Sequence, residues 1–272
     1  MELEGKVAIV TGASRGVGAA TAVALAAAGC AVACAARATD AAPLPIPGTI
    51  DETVRRITDA GGTAIAVPTN LASDAEVEQM VATTVGQLGP VDILVNNAAI
   101  TFPGDVDLPM KRFDLIFAVD LRAPLIAIQS VLPSMRARKS GSIVNVSSVA
   151  ALNYFPGLMA YGMAKSAMEH MTVDLAAQLS DDGISVNTFR IDVPVASEGF
   201  VANLPGEHPD WEPSEVAAEG ILWMIRQPPG YTGHNDGMAR LRADHGIMAS
   251  RAARPHTQAA GIVTETHLRP PA

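Results

Sequence analysis

Short apolar runs alternate with longer segments of mixed character along most of the chain. Lys6-Val7-Ala8-Ile9-Val10-Thr11 and Ile143-Val144-Asn145-Val146 are typical of the short runs. A continuous apolar run of this length suits a strand buried on both faces, as in a parallel sheet. On this pattern strands are expected at 6–11, 30–36, 63–68, 91–96, 141–147 and 184–190. Helices are expected at 17–28, 50–60, 74–88, 108–138, 157–181 and 213–226. Strand and helix in regular alternation imply an α/β chain with a doubly wound parallel sheet and a ligand at the carboxyl ends of its strands. A length of 272 residues fits one domain of this kind, spanning 1–250, followed by a tail at 251–272 without clear periodicity. That tail is expected to be disordered or to sit at a subunit interface.

Composition narrows the function classes. The net charge is −9 and no basic cluster occurs, which argues against nucleic acid or an anionic membrane surface as partner. The acidic start Met1-Glu2-Leu3-Glu4 lacks the basic opening of a signal peptide, and a soluble cytoplasmic protein is expected. Residues 16–36 carry no charge, but they are rich in Ala and Gly with Gly29 in the middle, so strand–helix–strand suits them better than a membrane span. The two cysteines, Cys30 and Cys34, lie in an apolar run and read as reduced core residues. The six histidines show no metal-ligand spacing.

Two stretches carry chemistry. In the first, the strand 6–11 runs into Thr11-Gly12-Ala13-Ser14-Arg15-Gly16-Val17-Gly18 and then an Ala-rich helix. Glycines there allow a tight turn and a close phosphate, and the helix start supplies free N–H groups and a positive dipole end. In the second, Lys165 is the only charged side chain between residues 140 and 168. Burying a lone ammonium is unfavourable unless its charge is used. Tyr161 stands four residues earlier, on the same helix face, and Ser148 ends the strand before it. A phenol next to an ammonium is a plausible proton donor, because a neighbouring cation lowers its pKa from about 10. A snorkelling Lys beside a core Tyr would look the same in sequence.

Thr11 to Gly18, together with Asn96-Asn97-Ala98-Ala99, Ser148, Tyr161 and Lys165, resembles the short-chain dehydrogenase/reductase family in order and spacing across roughly residues 5 to 195. The resemblance implies a Rossmann-type three-layer α/β/α fold and hydride transfer between a nicotinamide cofactor and a carbonyl or secondary alcohol. It implies catalytic roles for Tyr161 as general acid/base, Lys165 in lowering its pKa and holding the nicotinamide ribose, and Ser148 on the substrate oxygen. Ser147 competes with Ser148, but alternation along the strand puts the two on opposite faces. Cofactor contacts are expected from Gly12, Ser14, Arg15, Gly16, Val17, Gly18, Asn97, Ala98, Ala99, Tyr161 and Lys165, with weaker roles for Asn70 and Leu71 near the adenine. In the family an acid ending the second strand selects NAD. Here Ala36 stands there and Arg37 follows, so Arg37 and Arg15 are expected to hold a 2′-phosphate and favour NADP(H) over NAD(H). Arg37 could instead pair with Asp40. The proline-rich insertion between 38 and 48 either borders the adenosine end of the cofactor or is a surface loop without a role.

Three departures from the family pattern stand out. Asp120, in Val119-Asp120-Leu121-Arg122, replaces an Asn that in the family helps hold a water on the proton relay to the lysine. A carboxylate there would raise the lysine pKa and oppose the lowering of Tyr161, so activity is expected at higher pH, or reduced, relative to Asp120→Asn. An ion pair with Arg122 or Lys111 is the other reading of Asp120. Second, Ile191-Asp192-Val193 replaces the usual Pro-Gly, leaving Val193 as the contact for the nicotinamide carboxamide and Asp192 unassigned. Third, Tyr231 to Gly237 only faintly resembles the family's Thr-Gly segment before a last strand, and Met238-Ala239-Arg240-Leu241-Arg242, where that strand should follow, makes a poor one.

The expected substrate pocket is apolar: Ile100, Phe102, Ala150, Tyr154, Phe155, Leu158, Val195, Phe200 and Trp211, with 194–213 as a mobile lid. It suits a hydrophobic ketone, aldehyde or secondary alcohol. By resemblance the chain is a homodimer or homotetramer, paired through the long helices or the C-terminal region. A weakly active or non-catalytic relative serving as a binding or structural subunit is the competing function.

Overall fold

Residues whose apolar side chains alternate in direction along each strand feed two separate cores. The computed structural model of the chain describes residues 1–204 and 206–254. Its strands are β1 (Val7–Thr11), β2 (Ala31–Ala36), β3 (Thr63–Pro68), β4 (Ile93–Asn96), β5 (Gly141–Ser148), β6 (Ile184–Ile191) and β7 (Asn235–Gly237). All pair in parallel, in the order β3-β2-β1-β4-β5-β6-β7. The order reverses between β1 and β4, which opens the crevice where a dinucleotide fits this architecture.

The helices are α1 (Gly16–Ala27), α2 (Ile50–Asp59), α3 (Asp74–Leu88), α4 (Met110–Phe117), α5 (Ala123–Arg138), α6 (Met159–Leu179), α7 (Glu198–Asn203), α8 (Ser214–Arg226) and α9 (Met238–His245). Ala8, Val10, Val32 and Val144 face one side and meet α1, α2 and α8. Val7, Ile9, Ala33 and Ile143 face the other and meet α3, α5 and the C-terminal part of α6. This is the expected three-layer α/β/α arrangement, and the six expected strands and six expected helical segments are all present. Cys30 and Cys34 are free and buried, and burial pushes their thiols up to about 11 and about 12.

The structure corrects two expectations. The helix expected at 108–138 begins at Met110 and contains a π turn, Ala118–Arg122, between α4 and α5. The apolar pattern continues through the turn and gives no warning of it. The residues read as a poor last strand, 238–242, belong to α9, while the seventh strand lies just before them. That strand is short and polar because, among the described residues, it is an edge: it pairs there with β6 alone, through Thr188–Asn235, Phe189–Asp236 and Arg190–Gly237. Met110–Arg138 is long and apolar enough to cross a membrane by length and composition. Half of its most apolar window is buried, and residues of α5 such as Ala127, Val131 and Met135 belong to the core. The expectation for the chain end falls mostly on 255–272, outside the described residues.

Candidate active site

The phosphate end is built where β1 meets α1. Arg15 occupies the N-cap of α1 and makes no side-chain capping bond, so the first-turn amides of Gly16, Val17 and Gly18 have no side-chain acceptor there. Gly12 adopts φ +68°. A Cβ on Gly12 would lie 2.9 Å from Ala98 Cα, and one on Gly18 would collide with the Gly12 carbonyl and with Asn97. These two glycines let the Asn97–Ala98 turn pack directly on the loop. Asn97 Nδ2 donates to the Thr11 carbonyl at 2.9 Å, and the amides of Asn97 and Ala98 both donate to Thr11 Oγ1. Ser14 is buried behind the loop, whereas Ala99 is exposed.

Arg15 and Arg37 differ in their freedom. Arg15 donates through Nε to Pro47 O at 2.7 Å and through Nη2 to Ile46 O and Gly48 O. The proline-rich insertion therefore folds back and holds this guanidinium. Burial and the nearby Arg37 charge lower the Arg15 pKa, and Glu198 opposes them. Arg37 is exposed. The alternative pairing of Arg37 with Asp40 is not made, because Asp40 is held by Arg55 and by Thr49. Of the residues expected near the adenine, Asn70 Oδ1 accepts from Ala72 N at 3.2 Å and Leu71 packs, half-exposed, against the core.

At the nicotinamide end, α6 carries Tyr161 and Lys165 one turn apart. Lys165 is 1% exposed and donates to the Val146 carbonyl at 2.9 Å. Its Nζ lies 5.6 Å from the Tyr161 ring centre. Ser148 favours the Tyr161 phenolate and accepts from Ala150 N at 3.2 Å. Ser147 points to the opposite face, as alternation requires, and donates to Glu169 at 2.7 Å. The expected lowering of the Tyr161 pKa is corrected in this cofactor-free chain. Burial and the Asp120 charge raise it, against the Ser148 hydrogen bond. Burial lowers the Lys165 pKa, while Asp120 and Glu169 raise it.

Asp120 sits in the π turn and is fully buried. Its Oδ1 accepts from Ile100 N at 2.8 Å. The ion pair considered with Arg122 is absent, since Arg122 binds Asp74 on α3 instead. Burial pushes the Asp120 carboxyl up to about 7, against the Lys165 charge and the Ile100 hydrogen bond. Asp192 is also settled: its Oδ1 accepts from Ala239 N at 3.0 Å, in the first turn of α9. Its neighbour Val193 is half-buried and packs against the core.

Glu169 and Arg190 were not singled out from the sequence. Glu169, one turn beyond Lys165, receives Arg190 through both oxygens, at 2.8 and 2.6 Å, and Ser147 through one. All three are buried. The uncharged stretch that flags Lys165 ends at Glu169 itself, and a count at four-residue spacing along α6 would have found it. Beneath them a polar ladder, Asn96 to Asn145 to Thr172, ties β4, β5 and α6 together, and Thr188 on β6 joins it at Thr172.

The pocket residues fall into two groups. Ala150 and Val195 are buried, Val195 in the main core, so they shape the site from behind. Ile100 and Phe102 pack half-exposed beside α4 and α6, Leu158 is half-exposed at the start of α6, and Tyr154 and Phe155 are exposed. The lid bears Phe200 stacked on Trp211 at 4.6 Å, with His208 on the other ring contact at 3.6 Å. Both lid ends are tied: Val195 bridges Glu212, and Ala196 N donates to Glu212 O. Ser197, at the start of α7, reaches the phosphate loop, 2.8 Å from where a Gly16 Cβ would be. Among the described residues no cluster of His, Cys, Asp or Glu could hold a metal ion.

Residues 6–193 match the family model described as short chain dehydrogenase. The chain belongs to the short-chain dehydrogenase family. Its members include relatives such as the 3-oxoacyl-[acyl-carrier-protein] reductase of Synechocystis, 37% identical over 214 residues, covering 78% of this chain and 80% of the relative. A short-chain dehydrogenase from Mycobacterium thermoresistibile has the same fold, with TM-score 0.81, 30% identity and coverage of 93% of this chain and 94% of that one. A putative gluconate 5-dehydrogenase from Beutenbergia cavernae, solved with bound NADP, matches with TM-score 0.76 and 26% identity, over 87% of this chain and 96% of that one. This short-chain dehydrogenase is thus an NAD(P)-dependent oxidoreductase.

Proposed function

We propose that the protein is an NADP(H)-dependent oxidoreductase acting on a hydrophobic ketone, aldehyde or secondary alcohol, with Tyr161 as its general acid/base. The observation that carries this reading is a buried Lys165 one turn from Tyr161, its Nζ 5.6 Å from the ring centre, with Ser148 at the end of the neighbouring strand β5. The donor chemistry fits the cofactor: uncapped first-turn amides on α1 suit a diphosphate, and exposed Arg37, with Ala36 in place of an acid, suits a 2′-phosphate. Arg15, gripped by the insertion, serves to hold that loop beside the adenosine end and adds positive charge near Arg37. When bound, the nicotinamide supplies or accepts the hydride.

The protein handles the proton. A raised Tyr161 pKa keeps the phenol protonated at neutral pH, the form needed to protonate the substrate oxygen in reduction. Oxidation needs the phenolate and is favoured as pH rises. Ser148 donates to the same substrate oxygen and stabilises its developing charge. Ile100, Phe102, Tyr154, Phe155, Leu158 and the Phe200–Trp211 stack offer an apolar rim, which suits a substrate without charge. Met110, Leu125, Met159, Met163 and Val173 are exposed along α4, α5 and α6 and support a homodimer or homotetramer paired through these helices.

Tyr161→Phe tests the reading. It should lower kcat by roughly 10²–10⁴-fold and leave reduced-nicotinamide binding in place. Unchanged turnover in the variant would refute the role of Tyr161.

A further inference from the structure

Glu212 closes the lid at its C-terminal end, and its backbone and side chain serve different partners. Pro213 follows it, which favours an extended conformation. In that conformation its N–H donates to Pro194 O at 2.9 Å and its carbonyl accepts from Ala196 N at 2.8 Å, so the two ends of the lid meet there. The residue is 1% exposed. A carboxylate so buried is costly unless donors surround it. Oε1 accepts from Arg242 Nη2 at 2.9 Å, and Oε2 accepts from Arg251 N at 2.8 Å and Ala252 N at 3.2 Å. None of these donors belongs to the lid: Arg242 lies on α9, and the two amides lie on the segment after it.

The segment 247–254 is itself fastened. Met248 is fully buried with φ +54°, a left-handed conformation that a residue with a side chain keeps only where its surroundings impose it. Its N–H donates to Glu219 Oε1 at 3.0 Å, and its carbonyl accepts from Arg242 Nε at 2.7 Å. Its sulfur packs so closely on α8 that a Cβ on Gly220 would collide with it. Arg251 reaches the other Glu219 oxygen at 3.0 Å. Further on, Arg254 N donates to Pro209 O, on the lid, at 2.7 Å. The segment thus runs from a clamp on α8, past Glu212, to the lid.

We propose that Glu212 is a positioning residue for the cofactor: through its carboxylate the segment 247–254 holds the lid against the phosphate loop. The backbone of Glu212 pins Val195. Ser197 stands just beyond Val195, 2.8 Å from where a Gly16 Cβ would be. Removing the carboxylate leaves the backbone bridge intact but frees it from the segment behind. The lid then opens more often, and a dinucleotide on the phosphate loop leaves faster. Glu212 acts on the phosphate loop through Ser197. The cofactor effect rests on the NADP(H) reading, whereas the coupling of segment to lid does not.

The test compares wild type, Glu212→Gln and Glu219→Ala. Gln keeps the shape, but its amide sets N–H groups against the surrounding donors. Glu219→Ala releases Met248 and Arg251 from α8 and alters no lid residue. Hydrogen exchange is read at the lid amides of Phe200, Val201 and Leu204, which are bonded within the lid. It is also read at core amides of β5, which exchange when the whole chain unfolds and so report the stability each variant loses. If the lid opens together with its anchor, lid and β5 amides quicken alike. If the anchor stays shut while the lid opens, β5 quickens and the lid does not.

In the wild type the lid should exchange faster than β5. Lid exchange should quicken roughly 10–100-fold in Glu212→Gln, the scale of a lost charge-assisted hydrogen bond. It should quicken roughly 2–5-fold in Glu219→Ala, the scale of a half-exposed pair. The NADPH dissociation rate, followed by fluorescence after dilution, should rise in the same order. Lid exchange unchanged in the variants, or a wild-type lid no faster than β5, would overturn the proposal. So would an unchanged NADPH dissociation rate beside a quickened lid. If Glu212→Gln fails to fold, Glu219→Ala carries both readouts. A wild type that binds no NADPH would overturn the cofactor reading, and lid exchange would still decide the coupling.

Discussion

Lys165 is a buried cation whose one hydrogen bond among the described residues is to a carbonyl, Val146 O. It is tolerated because Asp120 and Glu169 both favour its charged form. The sequence marks Lys165 as the lone charge in a long apolar stretch, and marks Tyr161 by the four-residue spacing that puts both on one helix face. That Ser147 and Ser148 face opposite ways was also legible, from strand alternation, whereas the preference for Ser148 came from spacing in the family. What escaped was the set of residues acting at a distance in sequence. Arg190 lies on β6 and meets Glu169 on α6 only after folding, so no local spacing announces the pair. Their side chains are 9% and 8% exposed. Removing one partner of such a pair leaves the other buried and unpaired, which costs about 3–5 kcal/mol. Glu169→Ala should therefore lower unfolding stability by that amount in urea titrations. A loss below about 1 kcal/mol, the range of exposed pairs, would show that the network contributes little.

Element by element, the strand and helix segments were readable because parallel strands are buried on both faces and keep their apolar runs. The exceptions have physical causes. The π turn at Ala118–Arg122 inserts into an uninterrupted apolar helix pattern, so periodicity cannot locate it. Strand β7 is short and polar because, among the described residues, it is an edge strand held by β6 alone. Helix α9 has Gly237 at its N-cap, where no side chain can accept, and takes Asp192, just after β6, as its acceptor. The unusual Asp192 is thereby explained as a cap supplied across the sheet. Capping residues are worth about 1 kcal/mol, and Asp192→Ala should reduce stability by about 0.5–2 kcal/mol. Hydrogen exchange should speed up first at the amides of Met238 to Leu241. Exchange unchanged there would contradict the capping role.

Over the whole molecule, the switch in strand order between β1 and β4 sets the glycine loop, Asn97–Ala98 and the Ser148–Tyr161–Lys165 group along one edge of the sheet. The lid, tied at Val195 and Glu212, reaches across to the phosphate loop through Ser197. Family membership and fold were legible because several motifs stand in register over most of the chain. The phosphate ligands were legible only in part. Arg15 and Arg37 look equivalent as sequence, yet one is gripped by Ile46, Pro47 and Gly48 and the other is exposed. The most direct measurement is therefore a fluorescence titration of NADPH and NADH on wild type and Arg37→Ala. Charge-assisted hydrogen bonds are worth about 1.5–3 kcal/mol, so NADPH should bind roughly 10–100-fold tighter than NADH. Arg37→Ala should remove most of that difference and barely change NADH. Equal binding of the two cofactors by the wild type, or equal losses for both in the variant, would contradict the account.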